Sequence, residues 1–192
     1  AEMACQIEIE KMSEPIGKQD QYASAFGGLN LIQFSPEGVT VEPLKIAIET
    51  RRQLEKDLML FYTGATRKAS AILREQKKSA EQNDAQVLDA HHAVKAMAFL
   101  VKEQLERGDL AAFGKTLDAA WQHKKKFAKG ISNPLIDECY TLALQNGAVG
   151  GKVTGAGGGG FLMIYCEAPC QSQVTHALES KGLKRMDFRF ET

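Results

Sequence analysis

Apolar positions along this chain follow two rhythms, and the change from one to the other marks out the elements. A helical spacing of three and four runs through Leu88, Ala93, Val94, Met97, Leu100, Val101 and Leu105 until Gly108 stops it. Asp109 then predicts an N-cap for a helix whose buried stripe is Leu110, Phe113, Leu117 and Trp121. Ser132 or Asn133 with Pro134 opens another helix, which Gly147 closes. Strand patterns sit on either side of this helical middle. Leu29 to Phe34 alternates, Pro36-Glu37-Gly38 turns, and Val39-Thr40-Val41 returns as a hairpin. The runs Leu58 to Tyr62 and Phe161 to Cys166 are continuous and apolar, as buried strands are. Further elements are predicted from Ala1 to Glu14 (a helix stopped by Pro15), partly within Pro43 to Lys56, from Thr66 to Lys78 and from Ser172 to Lys181. Ile16 to Gly28 reads as a loop or short helix, and Met186 to Phe190 as a last strand. This order argues for an α+β fold, an antiparallel sheet with helices packed on it.

The stretch Gly151 to Gly160 breaks both rhythms. Six of its ten residues are glycine, and it runs directly into the apolar Phe161-Leu162-Met163-Ile164-Tyr165. Glycine lets backbone N–H groups turn together onto an anion, so a phosphate-handling loop is one reading. The other is a tight turn between a helix and a strand, needed only for close packing. Two better-known phosphate motifs do not apply. A dinucleotide fingerprint follows a strand and opens a helix, the reverse of the order here. A Walker A loop ending at Gly151-Lys152 would need glycine where Asn146 stands and a hydroxyl where Val153 stands.

Composition narrows the classes. Lysine and arginine number 24, as do aspartate and glutamate, so no net positive charge favours nucleic acid. The chain's 192 residues are 44% hydrophobic, enough for one domain or one and a part. Cys5, Cys139, Cys166 and Cys170 show neither zinc spacing nor a disulfide framework, which predicts reduced thiols and a cytoplasmic location. No membrane span or signal peptide is visible. The chain opens with Ala1, inside what reads as a helix already under way, so it is expected to be a fragment.

Several side chains could carry chemistry. Asp20 follows a Pro/Gly break and could orient a hydroxyl and take its proton, or simply serve a turn or helix cap. Glu8 could hold magnesium, or belong with Glu2 and Glu10 to a solvated helix face. His91 and His92 lack partners at ligand spacing and are expected to be one surface and one partly buried residue. Lys124, Lys125 and Lys126 are expected to form a solvated helix end. Arg67 and Lys68, at a strand's end, suit a phosphate or sugar hydroxyls.

Three segments in order, Gly17-Lys18-Gln19-Asp20-Gln21-Tyr22-Ala23-Ser24-Ala25-Phe26-Gly27-Gly28, then Leu60-Phe61-Tyr62-Thr63-Gly64-Ala65-Thr66-Arg67, then the glycine stretch, resemble the GHMP small-molecule kinases. Within that family the chain looks most like the sugar kinases acting on D-glycero-D-manno-heptose 7-phosphate. Trp121, Lys124, Lys125 and Ile131-Ser132-Asn133 add to this closer likeness.

The resemblance implies a GHMP C-terminal domain over residues 43–192 and the tail of the N-terminal domain over 1–42. The family's nucleotide-phosphate loop would lie upstream, in a missing N-terminal half that is the expected partner. It implies ATP and Mg2+ as cofactors and a sugar phosphate as substrate, with neither nucleic acid nor membrane involved. Asp20 matches the catalytic base and Glu8 the magnesium ligand. Thr154, Gly155, Ala156, Gly157 and Gly158 match the nucleotide-binding motif. Gln21, Tyr22, Gly27, Gly28, Arg67 and Lys152 are the implied substrate contacts. The reaction expected is transfer of the γ-phosphate to the anomeric hydroxyl. A galactokinase or mevalonate-type kinase, or a sugar and ATP sensor without turnover, remains the alternative.

Overall fold

A computed structural model describes residues 1–64, 69–81 and 84–190 and divides the chain into two compact units. The smaller comprises Ala1–Lys45 with the stretch from Arg189, and the larger Ile46–Phe188.

In the smaller unit, α1 (Glu2–Cys5) passes without a break into a π-helical segment, Gln6–Lys11. The single helix expected as far as Glu14 thus changes its hydrogen-bond step and ends early. Met12 N–H donates to the Ile7 carbonyl, and Ser13 adopts a left-handed φ of 55° that turns the chain ahead of Pro15. Helix α2 (Gln19–Phe26) follows and is closed by Gly27 at φ 60°. Strands β1 (Asn30–Ser35) and β2 (Gly38–Pro43) form the expected hairpin, with Asn30 opposite Pro43 and Ser35 opposite Gly38.

The larger unit is built on a four-stranded antiparallel sheet in the order β4-β5-β3-β6. Strands β3 (Leu58–Tyr62) and β5 (Phe161–Tyr165) form its centre, as their uninterrupted apolar character requires. They run in register from Leu58 opposite Tyr165 to Tyr62 opposite Phe161. Strand β6 is Lys184–Met186 rather than Met186–Phe190, because only Lys184, Arg185 and Met186 find partners on β3. Its charged residues suit a sheet edge.

Strand β4 (Gly150–Val153) has no counterpart in the expected elements, since two leading glycines depress strand propensity. Those glycines serve close approach instead. A Cβ on Gly150 would strike the carbonyl of Gly114 in the helix Leu110–Lys124, and a Cβ on Gly114 would strike the Tyr165 ring.

Among the described residues six helices cover this unit: α3 (Ile48–Asp57), α4 (Ala69–Glu81), α5 (Ala85–Arg107), α6 (Leu110–Lys124), α7 (Pro134–Gln145) and α8 (Ala168–Glu179). Their ends follow the sequence signals. Asp84, Asp109 and Asn133 accept hydrogen bonds from the N–H groups of Gln86, Ala112 and Ile136, and Gly108 closes α5 in the left-handed region. Helix α8 starts four residues before the expected Ser172 because Pro169 lies in its first turn, where proline favours helix initiation. The stripe Leu110, Phe113, Leu117 and Trp121 is buried. Trp121 joins Met59, Phe61, Ile131, Ile136, Cys139, Tyr140, Leu162, Ile164, Val174 and Leu178 in one continuous core. Each large apolar side chain fully buried there contributes about 1.5–3 kcal/mol. All four cysteines are free thiols, and three are buried. Among the described residues no helix is long and apolar enough to cross a membrane.

Candidate functional site

In the smaller unit the groups of interest lie on the π-helical segment and α2. Asp20 occupies the first turn of α2, exposed, where a helix N-terminus favours negative charge. Its carboxylate has no partner among the described residues and is open to a ligand hydroxyl. Glu8 is half-buried, and its Oε2 accepts a 2.7 Å hydrogen bond from Gln21 Nε2. The oxygen of the Gln21 amide, Oε1, is buried without a partner among the described residues. Gln21 therefore orients Glu8 while keeping one acceptor in reserve. Tyr22 is buried, and its hydroxyl donates to Glu2 Oε2 at 2.7 Å; Lys18 donates to Glu2 Oε1 at 2.8 Å. Those two donors, Lys18 first, hold the Glu2 carboxyl below the usual carboxylate range. The Tyr22 ring stacks on Phe26 and meets Phe34 edge-on. Gly27 and Gly28 both have positive φ, and a Cβ on either would meet nothing, so the backbone there is open to close approach.

The larger unit contributes the glycine loop, residues Thr154 to Gly160 between neighbouring strands β4 and β5. It thus joins two strands of a hairpin rather than a helix and a strand, and Gly151, Lys152 and Val153 belong to β4. Gly155, Gly157, Gly158 and Gly160 have φ of 64°, 100°, 76° and 82°. At Gly157 space is also limiting, because a Cβ would come within 2.7 Å of the Ile131 carbonyl.

Neighbouring elements hold the loop's carbonyls. Lys124 Nζ donates to Gly155 O at 2.5 Å, Gln76 Nε2 to Ala156 O at 3.3 Å and Asn133 Nδ2 to Gly158 O at 3.3 Å. Thr63 donates to Gly160 O from both its N–H and its hydroxyl. Two loop amides are engaged, Thr154 N–H with Phe161 O and Gly158 N–H with Ile131 O. The N–H groups of Gly155, Ala156 and Gly157 have no acceptor among the described residues. A loop with its carbonyls held and these amides free has the polarity of an anion nest.

Sequence reasoning did not find the residues that hold the loop. Lys124 was expected at a solvated helix end, yet only Lys126 of the three lysines is exposed. Lys125 lies 3.5 Å from Asp137, and Lys124 turns to the loop. The signal was present: Lys124 extends the stripe 110, 113, 117, 121 by a further step of three, onto the buried face. Gln76 and Asn133 carry no such signal. His91 is partly buried and stacked on Phe127 at 3.7 Å, and His92 is exposed, as expected. Arg67 and Lys68 lie outside the described residues.

Among the described residues no group of three or more His, Cys, Asp or Glu could hold a metal ion. Glu8, with one oxygen uncommitted, fits a magnesium ion that takes most of its ligands from phosphates and water.

Comparison with known proteins agrees with this arrangement. The family model described as GHMP kinases C terminal matches residues 101–183. Over 191 residues the chain is 36% identical to the D-glycero-alpha-D-manno-heptose 7-phosphate kinase of Campylobacter jejuni, a match covering 99% of this chain and 56% of that protein. It is 31% identical over 157 residues to the L-fucokinase/L-fucose-1-P guanylyltransferase of Bacteroides fragilis, covering 80% of this chain and 16% of that one. Among solved structures, a D-glycero-D-manno-heptose 1-phosphate kinase from Bacteroides thetaiotaomicron superposes with a TM-score of 0.72 at 30% identity, covering 98% of this chain and 51% of that one. The chain spans about half the length of the heptose kinases it matches. On this likeness, and on the glycine loop set in an antiparallel sheet with packed helices, the chain carries the C-terminal domain of the GHMP kinases.

Proposed function

We propose that this chain is the C-terminal part of an ATP-dependent sugar kinase that phosphorylates the anomeric hydroxyl of D-glycero-D-manno-heptose 7-phosphate. The observation that carries the phosphoryl-transfer reading is the glycine loop, with its carbonyls tied back and the amides of Gly155, Ala156 and Gly157 free. The 36% identity to a heptose 7-phosphate kinase supports the choice of sugar. The rest of the polypeptide, on this reading an N-terminal half, supplies the nucleotide-phosphate loop. Residues 1–42 complete that first domain and residues 43–192 form the second.

In this reading Asp20 accepts a hydrogen bond from the sugar hydroxyl, orients it and takes its proton as the oxygen attacks the γ-phosphorus. The new O–P bond forms while the bond to the β-phosphate oxygen breaks, and ADP leaves. Glu8, held by Gln21, is the carboxylate that would ligate Mg2+, which offsets phosphate charge when bound. The amides of Gly155, Ala156 and Gly157, with Thr154 and Gly158 completing the motif, meet the phosphate oxygens. Gln21, Gly27, Gly28 and Lys152 contact the sugar phosphate. Tyr22 acts from below, since its hydroxyl already serves Glu2. Arg67 completes the substrate contacts.

The likeness to an L-fucokinase favours a second reading, in which the acceptor is an unphosphorylated sugar. One assay separates the two: ADP release with the heptose 7-phosphate beside L-fucose, galactose, mannose and mevalonate, in the longest natural polypeptide containing this chain. Turnover on the heptose phosphate alone is expected. Asp20→Asn should lower turnover about 10²–10⁴-fold, the range for a general base. Near-normal turnover in Asp20→Asn removes the base role, and binding without turnover on any acceptor favours a sensor.

A further inference from the structure

Two cations beside the glycine loop lack a counter-charge. Lys124 ends α6 on its buried face, with Nζ on the Gly155 carbonyl. Lys152 lies on β4 opposite Met163, two residues before the loop. Both are half-buried, and among the described residues neither has a carboxylate partner. Other lysines of the chain do: Lys18 with Glu2, Lys125 with Asp137 and Lys181 with Glu138. Burial, and after it the charge of Lys152, pulls the Lys124 ammonium down to about 8, so the two lysines feel each other. Burial also lowers the Lys152 ammonium. Two like charges drawn partly out of water are unfavourable until an anion joins them. The free amides of Gly155, Ala156 and Gly157 adjoin them on the same loop.

We propose that Lys124 and Lys152, together with these amides, form a phosphate site in which Lys124 supplies charge while holding the Gly155 carbonyl away from the anion. The ligand is a phosphoryl group, carried by the nucleotide or by the phosphorylated sugar. This deepens the kinase reading, on which the identity of the ligand rests, but binding of inorganic phosphate can be measured without turnover.

The test is calorimetric titration of the 192-residue chain with inorganic phosphate, for the wild type, Lys124→Gln, Lys124→Arg and Lys152→Gln. Glutamine keeps a donor for the Gly155 carbonyl and removes the charge, so it separates the two roles of Lys124. Phosphate should bind about tenfold more weakly to either glutamine variant, the worth of one charged hydrogen bond, and Lys124→Arg should recover most of that loss. Parallel titrations with ATP, and with the heptose 7-phosphate beside the unphosphorylated heptose, assign the source. A Lys124→Gln effect on ATP alone identifies the nucleotide, and one confined to the phosphorylated heptose identifies the sugar. Phosphate affinity unchanged in both glutamine variants overturns the site. So does absence of saturation by the wild type, which leaves the kinase reading to be judged by its turnover assay.

Discussion

Lys124 has two neighbours that pull in opposite directions: the Gly155 carbonyl, which accepts a hydrogen bond from its ammonium, and the Lys152 charge, which resists its own. Its ammonium titrates near 8 in the folded chain, against an ordinary value of 10.5. Between those values the unfolded chain binds more protons than the folded one, so stability should rise with pH across that window. The cost of the buried charge is fully present below about pH 8 and relieved on approaching 10.5. Urea unfolding of wild type and Lys124→Gln at pH 7, 9 and 10 should show this rise in the wild type and a flatter profile in the variant. Identical profiles would show that Lys124 is not the titrating group. At the residue scale, Asp20, Glu8 and the glycines stood out in the sequence as candidates by residue type, and the family likeness is what proposes a role for each. Lys124 was legible only through its place in a stripe of Leu110, Phe113, Leu117 and Trp121, where a lysine has to send its ammonium along the core to reach a polar rim.

Helix α6 links the core to the loop at the level of elements. Its Trp121 is fully buried against the sheet, and three residues on, its last turn holds Gly155. Trp121→Ala should destabilise the larger unit by about 3–5 kcal/mol, measured by denaturant unfolding, as other large-to-small core changes do. A loss below about 1 kcal/mol would mean that the site collapses around the smaller side chain. Elements with strong periodicity or capping residues were legible in advance, β3 to the residue and α7 from Asn133-Pro134. Strand β4 was not, because Gly150 and Gly151 resemble loop residues until the approach of Gly114 is known. The π-helical segment was hidden as well, since its side-chain pattern differs little from an ordinary helix over six residues.

At the scale of the whole molecule, the continuous core draws, among the described residues, on those from Met59 to Leu183. All of its stabilisation by burial therefore belongs to the unit Ile46–Phe188. Residues 46–188 expressed alone should unfold cooperatively and keep the phosphate affinity of the full chain, as calorimetry would show. A non-cooperative transition would mean that this core requires the rest of the chain. The glycine loop has one more consequence. Its carbonyls are anchored to Thr63 just after β3, to α4, to α6 and to the start of α7, so its backbone is held in place, yet among the described residues the amides of Gly155, Ala156 and Gly157 have no acceptor to shield them. Rigidity and protection from solvent are thereby uncoupled. In deuterated water these three protons exchange quickly from a loop that does not need to open, and the arrival of an oxyanion is recorded as their slowing.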